Sequence, residues 1–319
     1  MDQTAFLFPG QGSQSPGMGA HLLERRPDLL ERYYRPADEI LSLPLSELCL
    51  TGSADALQDT SITQPAVFLT SLATLEVLRG HGVRPAVVAG HSLGEYTALV
   101  CAGVLEWTDA LRLVRRRGEL MAAVNERVPG AMAAVLGLEI AEVEALCAQV
   151  RQETGQIVEV ANDNAPGQVV VSGQREAVAV LSGVAKEAGA IRAVTLEVGA
   201  PFHCSLMAGI EAEFARELAA VEFRDPVLPV VSGGTAGRVT SAEEAVAALR
   251  GQLAGRVRWV AAVRRMAEEG AQRFLEVGPG RVLSTLSRRI EPQLPAFTTN
   301  DEGRLARAIE EIAPDTVRA

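Results

Sequence analysis

Lysine is almost missing from this chain of 319 residues: of 30 basic side chains only Lys186 is not an arginine. It sits in Val184-Ala185-Lys186-Glu187-Ala188-Gly189 with no phosphate loop around it, which excludes a Walker-type nucleotide site. Cysteine is scarce too. Cys49, Cys101, Cys147 and Cys204 lie far apart, form no CxxC pair and have no histidine at a ligand spacing, so they read as reduced core thiols of a cytosolic protein. No apolar run is long: stretches such as 99–105 fall far short of the ~20 residues that span a bilayer. The opening Met1-Asp2-Gln3-Thr4 is not basic and the apolar run behind it stops at Pro9, so no signal peptide is expected. With 40 acidic residues and a net charge of −10, a broad nucleic-acid footprint is excluded as well.

What remains is an ordinary globular composition, 48% apolar and 22% charged, long enough for two domains or one elaborated domain. Residues 5–8 form a short apolar run halted by Pro9-Gly10, as in a buried strand, and 85–90 reads the same way with an apolar helix at 98–105 behind it. Such alternation predicts a parallel sheet covered on both faces. Between 130 and 198 the rhythm changes: strand at 131–138, helix at 140–150, and strands at 157–161 and 168–172 around a turn-like 162–167. A helix at 175–188 and a strand at 191–198 complete β-α-β-β-α-β, the ferredoxin-like split motif. This compact unit is expected as an insertion in a larger α/β body formed by 1–129 and 199–319, with further strands at 227–231 and 274–277. The polar end, 309–319, is expected to fray.

Gly90-His91-Ser92-Leu93-Gly94 is a G-x-S-x-G sequence between a predicted strand and a predicted helix. A sharp turn there lifts the serine hydroxyl above the sheet and sets it at a helix N-terminus, where free N–H groups favour developing negative charge. Ser92 is thus a candidate nucleophile; the plainer reading is a tight glycine turn with a capping serine. A serine nucleophile needs a base. His21 and His81 lie in polar surroundings and His91 adjoins the serine, which leaves His203, in Pro201-Phe202-His203-Cys204, as candidate base or as a structural histidine. After the first strand comes Pro9-Gly10-Gln11-Gly12-Ser13-Gln14, which lacks the third glycine of a dinucleotide fingerprint. Its glycines let the Gln11 N–H approach a ligand, and with the Leu93 N–H it fits an oxyanion hole; otherwise it is a surface turn.

Arg117 stands out by periodicity. Within the helix expected over 108–122 it lies three or four residues from each of Leu113, Val114, Leu120 and Met121, so it points into their apolar face. An inward guanidinium cannot shed its charge: it pairs with an internal acid or awaits an anionic substrate. Arg112, Arg115, Arg116 and Glu119 fall on the other side of that helix.

Taken together the chain resembles the malonyl-CoA:acyl-carrier-protein transacylase family, which serves fatty-acid and polyketide synthesis. The likeness runs from Phe8-Pro9-Gly10-Gln11-Gly12-Ser13-Gln14 to Glu276-Val277-Gly278-Pro279-Gly280, through Thr63-Gln64-Pro65-Ala66, Gly90-His91-Ser92-Leu93-Gly94-Glu95-Tyr96, Arg117-Gly118, Pro201-Phe202-His203-Cys204 and Val257-Arg258-Trp259. The resemblance implies an α/β-hydrolase-like body with an inserted ferredoxin-like subdomain. It implies Ser92 as acylated nucleophile, His203 as its base, Gln11 and Leu93 as oxyanion-hole amides, and Arg117 as binder of the malonyl carboxylate. Gln252 matches the position whose main-chain carbonyl orients the histidine, and Phe202 accompanies a choice of malonyl over methylmalonyl. The partners implied are malonyl-CoA and a phosphopantetheinylated acyl carrier protein. No metal, bound cofactor, nucleic acid or membrane is implied, and a cytoplasmic monomer is expected. Carriers of this kind are acidic, which nominates Arg115, Arg116, Arg288 and Arg289 as docking patches.

Three rival readings share some of these residues. A carrier-protein acyl hydrolase has little use for an inward arginine. A plain esterase wants an acid between serine and histidine, for which Asp109 or Asp163 could be nominated, though neither has a supporting context. A docking scaffold without turnover does not need Ser92, His203 and Arg117 intact.

Overall fold

Alternate residues of the first strand part to opposite sides, and the whole body follows from that. In β1 (Thr4–Phe8), Phe6 and Phe8 face one apolar cluster while Ala5 and Leu7 face another. Both faces are therefore dry, as a parallel sheet between helices requires. The computed structural model describes residues 3–313. Besides β1 its strands are β2 (Val87–Gly90), β3 (Gly130–Leu136), β4 (Val158–Ala165), β5 (Gln168–Gln174), β6 (Arg192–Thr195), β7 (Val230–Val231), β8 (Arg238–Val239), β9 (Arg273–Glu276) and β10 (Ala296–Thr298). The body sheet has the order β10-β9-β1-β2-β7-β8, parallel throughout except for the β7–β8 edge pair.

The second sheet, β4-β5-β3-β6, is antiparallel. Helices Ile140–Thr154 and Arg175–Glu187 cover one face, burying Val143, Cys147 and Leu181 against Ala133, Val135, Val160 and Val171. From the other face Met132 and Val170 join the body's core, so the small sheet is held by apolar burial and not merely tethered.

Several elements differ in extent from the sequence expectation. The helix after β2 spans Gly94–Cys101 instead of 98–105: it starts directly from the serine turn and stops before Gly103, whose φ of 75° breaks it. The Asn162-Asp163-Asn164 stretch, expected as turn, belongs to β4, and the hairpin turns at Pro166-Gly167 with Gly167 at φ 66°. Two bulges and a parallel bridge to Val257 hold these polar residues in the strand. β6 is short, leaving Ile191 exposed. The arginine-bearing helix is longer than expected, Trp107–Arg127. A final helix, Glu302–Ile312, occupies the start of the segment expected to fray, and 314–319 lie outside the described residues.

Helix Thr60–Gly80 is long and apolar enough to cross a membrane, yet most of its residues are buried in the body's core. It crosses Trp107–Arg127 closely at Gly118, where a Cβ would lie 2.7 Å from Thr60 O and 2.8 Å from Ser61 Cα. All four cysteines are buried and unpaired.

These glycines give a paired prediction. Gly118→Ala should destabilise by about 1–3 kcal/mol, because backbone atoms must move to admit the methyl. Gly183→Ala, in the helix Arg175–Glu187 with nothing within 4 Å of the new Cβ, should stabilise by about 0.5–1 kcal/mol. Urea unfolding of both variants measures the difference; equal effects would refute the close helix crossing.

Candidate active site

The site is assembled at the carboxyl ends of β1 and β2. Ser92 takes φ 53°, a strained conformation for a residue with a Cβ, in the turn between Gly90 and the helix Gly94–Cys101. A Cβ on Gly90 would lie 2.0 Å from Gly94 C, and one on Gly94 1.9 Å from Phe8 O, so only glycine fits either flank. The loop after β1 lies against this turn: a Cβ on Gly10 would sit 2.6 Å from His91 O. Among the described residues neither the Gln11 N–H nor the Leu93 N–H finds an acceptor, which leaves two donors beside the serine.

Ser92 Oγ lies 2.7 Å from His203 Nε2. His203 itself has φ 59°, and its Nδ1 donates to two main-chain carbonyls, Gln252 O at 2.9 Å and Gly255 O at 3.1 Å. Those acceptors assign the proton to Nδ1 and leave the Nε2 lone pair facing the hydroxyl. Burial, and then the charge of Arg117, pull the His203 pKa down to about 3, against the opposing pull of the two carbonyls. Among the described residues no carboxylate orients this imidazole. Asp109 pairs with Arg112 at 3.1 Å, and Asp163 is held in β4 with its N–H on Val257 O.

Arg117 is buried to 2% exposure. Nη1 donates to Gln64 Oε1 at 2.8 Å, Nη2 to Gln252 Oε1 at 2.9 Å and to Ser92 Oγ at 3.0 Å, and Nε has no partner. The guanidinium also lies 5.9 Å from the Tyr96 ring centroid. Every oxygen it touches is uncharged, and among the described residues it makes no ion pair. Burial lowers its pKa, while Tyr96 and Glu95 oppose that. Of the two fates open to it in the sequence, the internal acid in direct contact is absent.

Gln64, Glu95, Tyr96 and the Gln252 side chain were not legible as site residues. Gln252 Nε2 donates to Ser92 O at 3.0 Å and to Glu95 Oε2 at 2.5 Å. Their signal, polar residues at buried positions of apolar helices, does not say which cavity they face. His91 turns away from the serine, bonding Asn164 Oδ1 at 2.8 Å and meeting the Trp259 ring edge-on. Phe202 is buried next to the base. His21 and His81, in polar surroundings by sequence, are half-buried, and His21 Nε2 contacts Thr299 O.

The nominated docking arginines are engaged within the chain. Arg115 bonds Glu119 and Ser61 O, Arg116 pairs with Glu119, Glu213 and Glu217, Arg288 bonds Ala296 O, and Arg289 bonds Gln168 and Pro166 O. Helical periodicity gave the outward direction of Arg115 and Arg116 but not these partners within the chain.

A hydroxyl on a neutral imidazole, two free N–H donors and a guanidinium with no carboxylate in contact suit transfer of an acid-bearing acyl group. The His203 environment makes a prediction. An unfolded histidine titrates near 6.5 and the folded one at about 3, so stability held by the neutral ring is present above about 6.5 and lost as pH falls toward 3. Nitrogen NMR should show His203 as the neutral Nδ1–H tautomer down to about pH 5; a midpoint near 6.5 would contradict the buried geometry.

A family model described as the acyl transferase domain matches residues 5–296. The malonyl CoA-acyl carrier protein transacylase of Bacillus subtilis is 41% identical over 322 residues, covering 100% of both chains. The crystal structure of malonyl-CoA:acyl carrier protein transacylase from Xanthomonas oryzae pv. oryzae is 39% identical and superposes with a TM-score of 0.94, over 98% of this chain and 99% of that one. A malonyl-transacylase solved with its holo type II polyketide synthase acyl-carrier protein is 41% identical, with a TM-score of 0.91 over 97% and 99% of the two chains.

Proposed function

The chain belongs to the acyl transferase domain family, and from that premise we infer that it transfers a malonyl group from malonyl-CoA to the phosphopantetheine thiol of an acyl carrier protein. The observation that carries the acyl specificity is Arg117, a buried guanidinium whose Nη2 lies 3.0 Å from Ser92 Oγ and which touches no carboxylate. A malonyl group brings the missing carboxylate.

In this reading Ser92 Oγ attacks the thioester carbonyl as His203 Nε2 takes its proton. The Gln252 and Gly255 carbonyls hold Nδ1–H and stabilise the imidazolium that forms. The Gln11 and Leu93 N–H groups receive the tetrahedral oxyanion. Collapse breaks the C–S bond, His203 returns the proton to the departing sulfur, and a malonyl-Ser92 ester remains. The carrier thiol then runs the same steps in reverse. Phe202, buried beside the base, crowds an α-methyl substituent. The division of labour we favour sets 1–129 and 199–319 as the catalytic body and 130–198 as the small ferredoxin-like subdomain. A cytoplasmic setting is supported by the four unpaired cysteines. A hydrolase acting on neutral acyl groups would gain nothing from the guanidinium.

Radiolabelled malonyl-CoA should leave label on wild-type protein, chased by carrier protein but slowly by water, and none on Ser92→Ala. Arg117→Ala should lower the ratio of malonyl to acetyl loading by roughly 10²–10⁴, and Arg117→Lys should recover part of it, since an ammonium lacks the planar two-point contact. An unchanged ratio in Arg117→Ala would leave the arginine a structural role only. Phe202→Ser should raise methylmalonyl use relative to malonyl by about 10-fold or more, one methyl in a pocket being worth about 1–3 kcal/mol. Competition between the two thioesters measures it, and an unchanged ratio assigns the crowding elsewhere.

A further inference from the structure

The mechanism leaves a buried acid beside the serine without a task. Glu95 follows Ser92 by three residues, is 1% exposed, and sits one amide away from Arg117. Arg117 Nη2 donates to Gln252 Oε1 at 2.9 Å, and Gln252 Nε2 donates onward to Glu95 Oε2. The main-chain carbonyl of the same glutamine receives His203 Nδ1–H. Gln252 thus touches guanidinium, base, the Ser92 peptide and Glu95 together, and its amide must present Oε1 to the arginine and Nε2 to the acid.

Charge balance gives this relay a consequence. Among the described residues neither Arg117 nor Glu95 belongs to an ion pair. With Glu95 ionised the buried group is neutral; a second carboxylate on the guanidinium would leave a net negative charge away from water, which is costly. We propose that Glu95 is the resident counter-charge of Arg117, relayed through the Gln252 amide, and that it takes a proton from solvent when an acyl carboxylate settles on the guanidinium. This rests on the malonyl reading above.

Glu95 is poised for that exchange. Burial raises its pKa to about 7, against the opposing effects of Ser232, Gln252, Arg117 and the Gly233 N–H. The groups around it are Tyr96 on its own helix, Arg117 from Trp107–Arg127, Gln252, and Ser232 and Gly233 after β7. Among the described residues its buried Oε1 finds no hydrogen-bond partner, a place for a proton. Pairing Arg117 with substrate removes the positive charge that favours the ionised form, so the pKa rises further and the proton is captured. Below about 7 the acid already holds its proton; above, loading must import one, so malonyl binding weakens about tenfold per pH unit.

The test is a proton count during acyl-enzyme formation, with indicator dye in weak buffer at about pH 7.5. Wild type should take up more than about half a proton per malonyl-labelled Ser92, acetyl-CoA should give no such uptake, and Glu95→Gln should give none with malonyl-CoA. The KM for malonyl-CoA should climb with pH in wild type and stay level in Glu95→Gln. Full labelling of wild type without proton uptake overturns the proposal, and the wild-type measurement stands even where the variant fails to fold. Absence of malonyl label on wild type would overturn the underlying reading itself.

Discussion

A buried cation with no carboxylate in direct contact organises this molecule. Arg117 cannot lose its proton, and placing it in the core is costly unless every N–H is answered by an oxygen or an anion arrives. The fold answers with neutral partners: Gln64 from one long helix, Gln252 from the end of another, and the Ser92 hydroxyl. Amide and hydroxyl oxygens satisfy hydrogen bonds but not charge. Counter-charge reaches the guanidinium only through the Gln252 amide, from Glu95, which leaves direct carboxylate contact to the acyl group.

The same shortage of anions shapes the base. His203 leans on two peptide carbonyls where many serine enzymes use a carboxylate. A carboxylate there would add a buried negative charge within reach of Arg117, whose field His203 already feels, in competition with the acyl group. Carbonyl dipoles fix the tautomer without that competition, and burial beside the guanidinium keeps the imidazole neutral and able to accept a proton.

How much of this was legible depended on the range of the interactions. The Gly90–Gly94 turn, the alternation of strands with helices and the inward direction of Arg117 are local patterns, and they read correctly. His203 emerged because three other histidines had plainer explanations. The role of Gln252 was visible only as a matched position, and its side-chain bonds to Arg117 and Glu95 were not visible at all, because they join residues 135 and 157 apart in the chain. The Asn162-Asp163-Asn164 stretch misled for the same reason. Such residues favour turns locally, and what keeps them in β4 is a bridge to Val257, almost a hundred positions away.

That stretch of β4 also ties the small sheet to the catalytic turn. Asn164 bonds His91 and Trp259 meets its ring edge-on, while Arg256 pairs with Glu144 and Arg289 reaches the β4–β5 hairpin. Residues 130–198 look like a cassette on paper, but besides the shared core at Met132 and Val170 their seams include Ser205 and the 256–259 and 288–289 segments of the host. A chimera exchanging the cassette alone would leave His91 facing a stranger's strand. The unit that a recombination experiment can move intact is the cassette together with those distant seams.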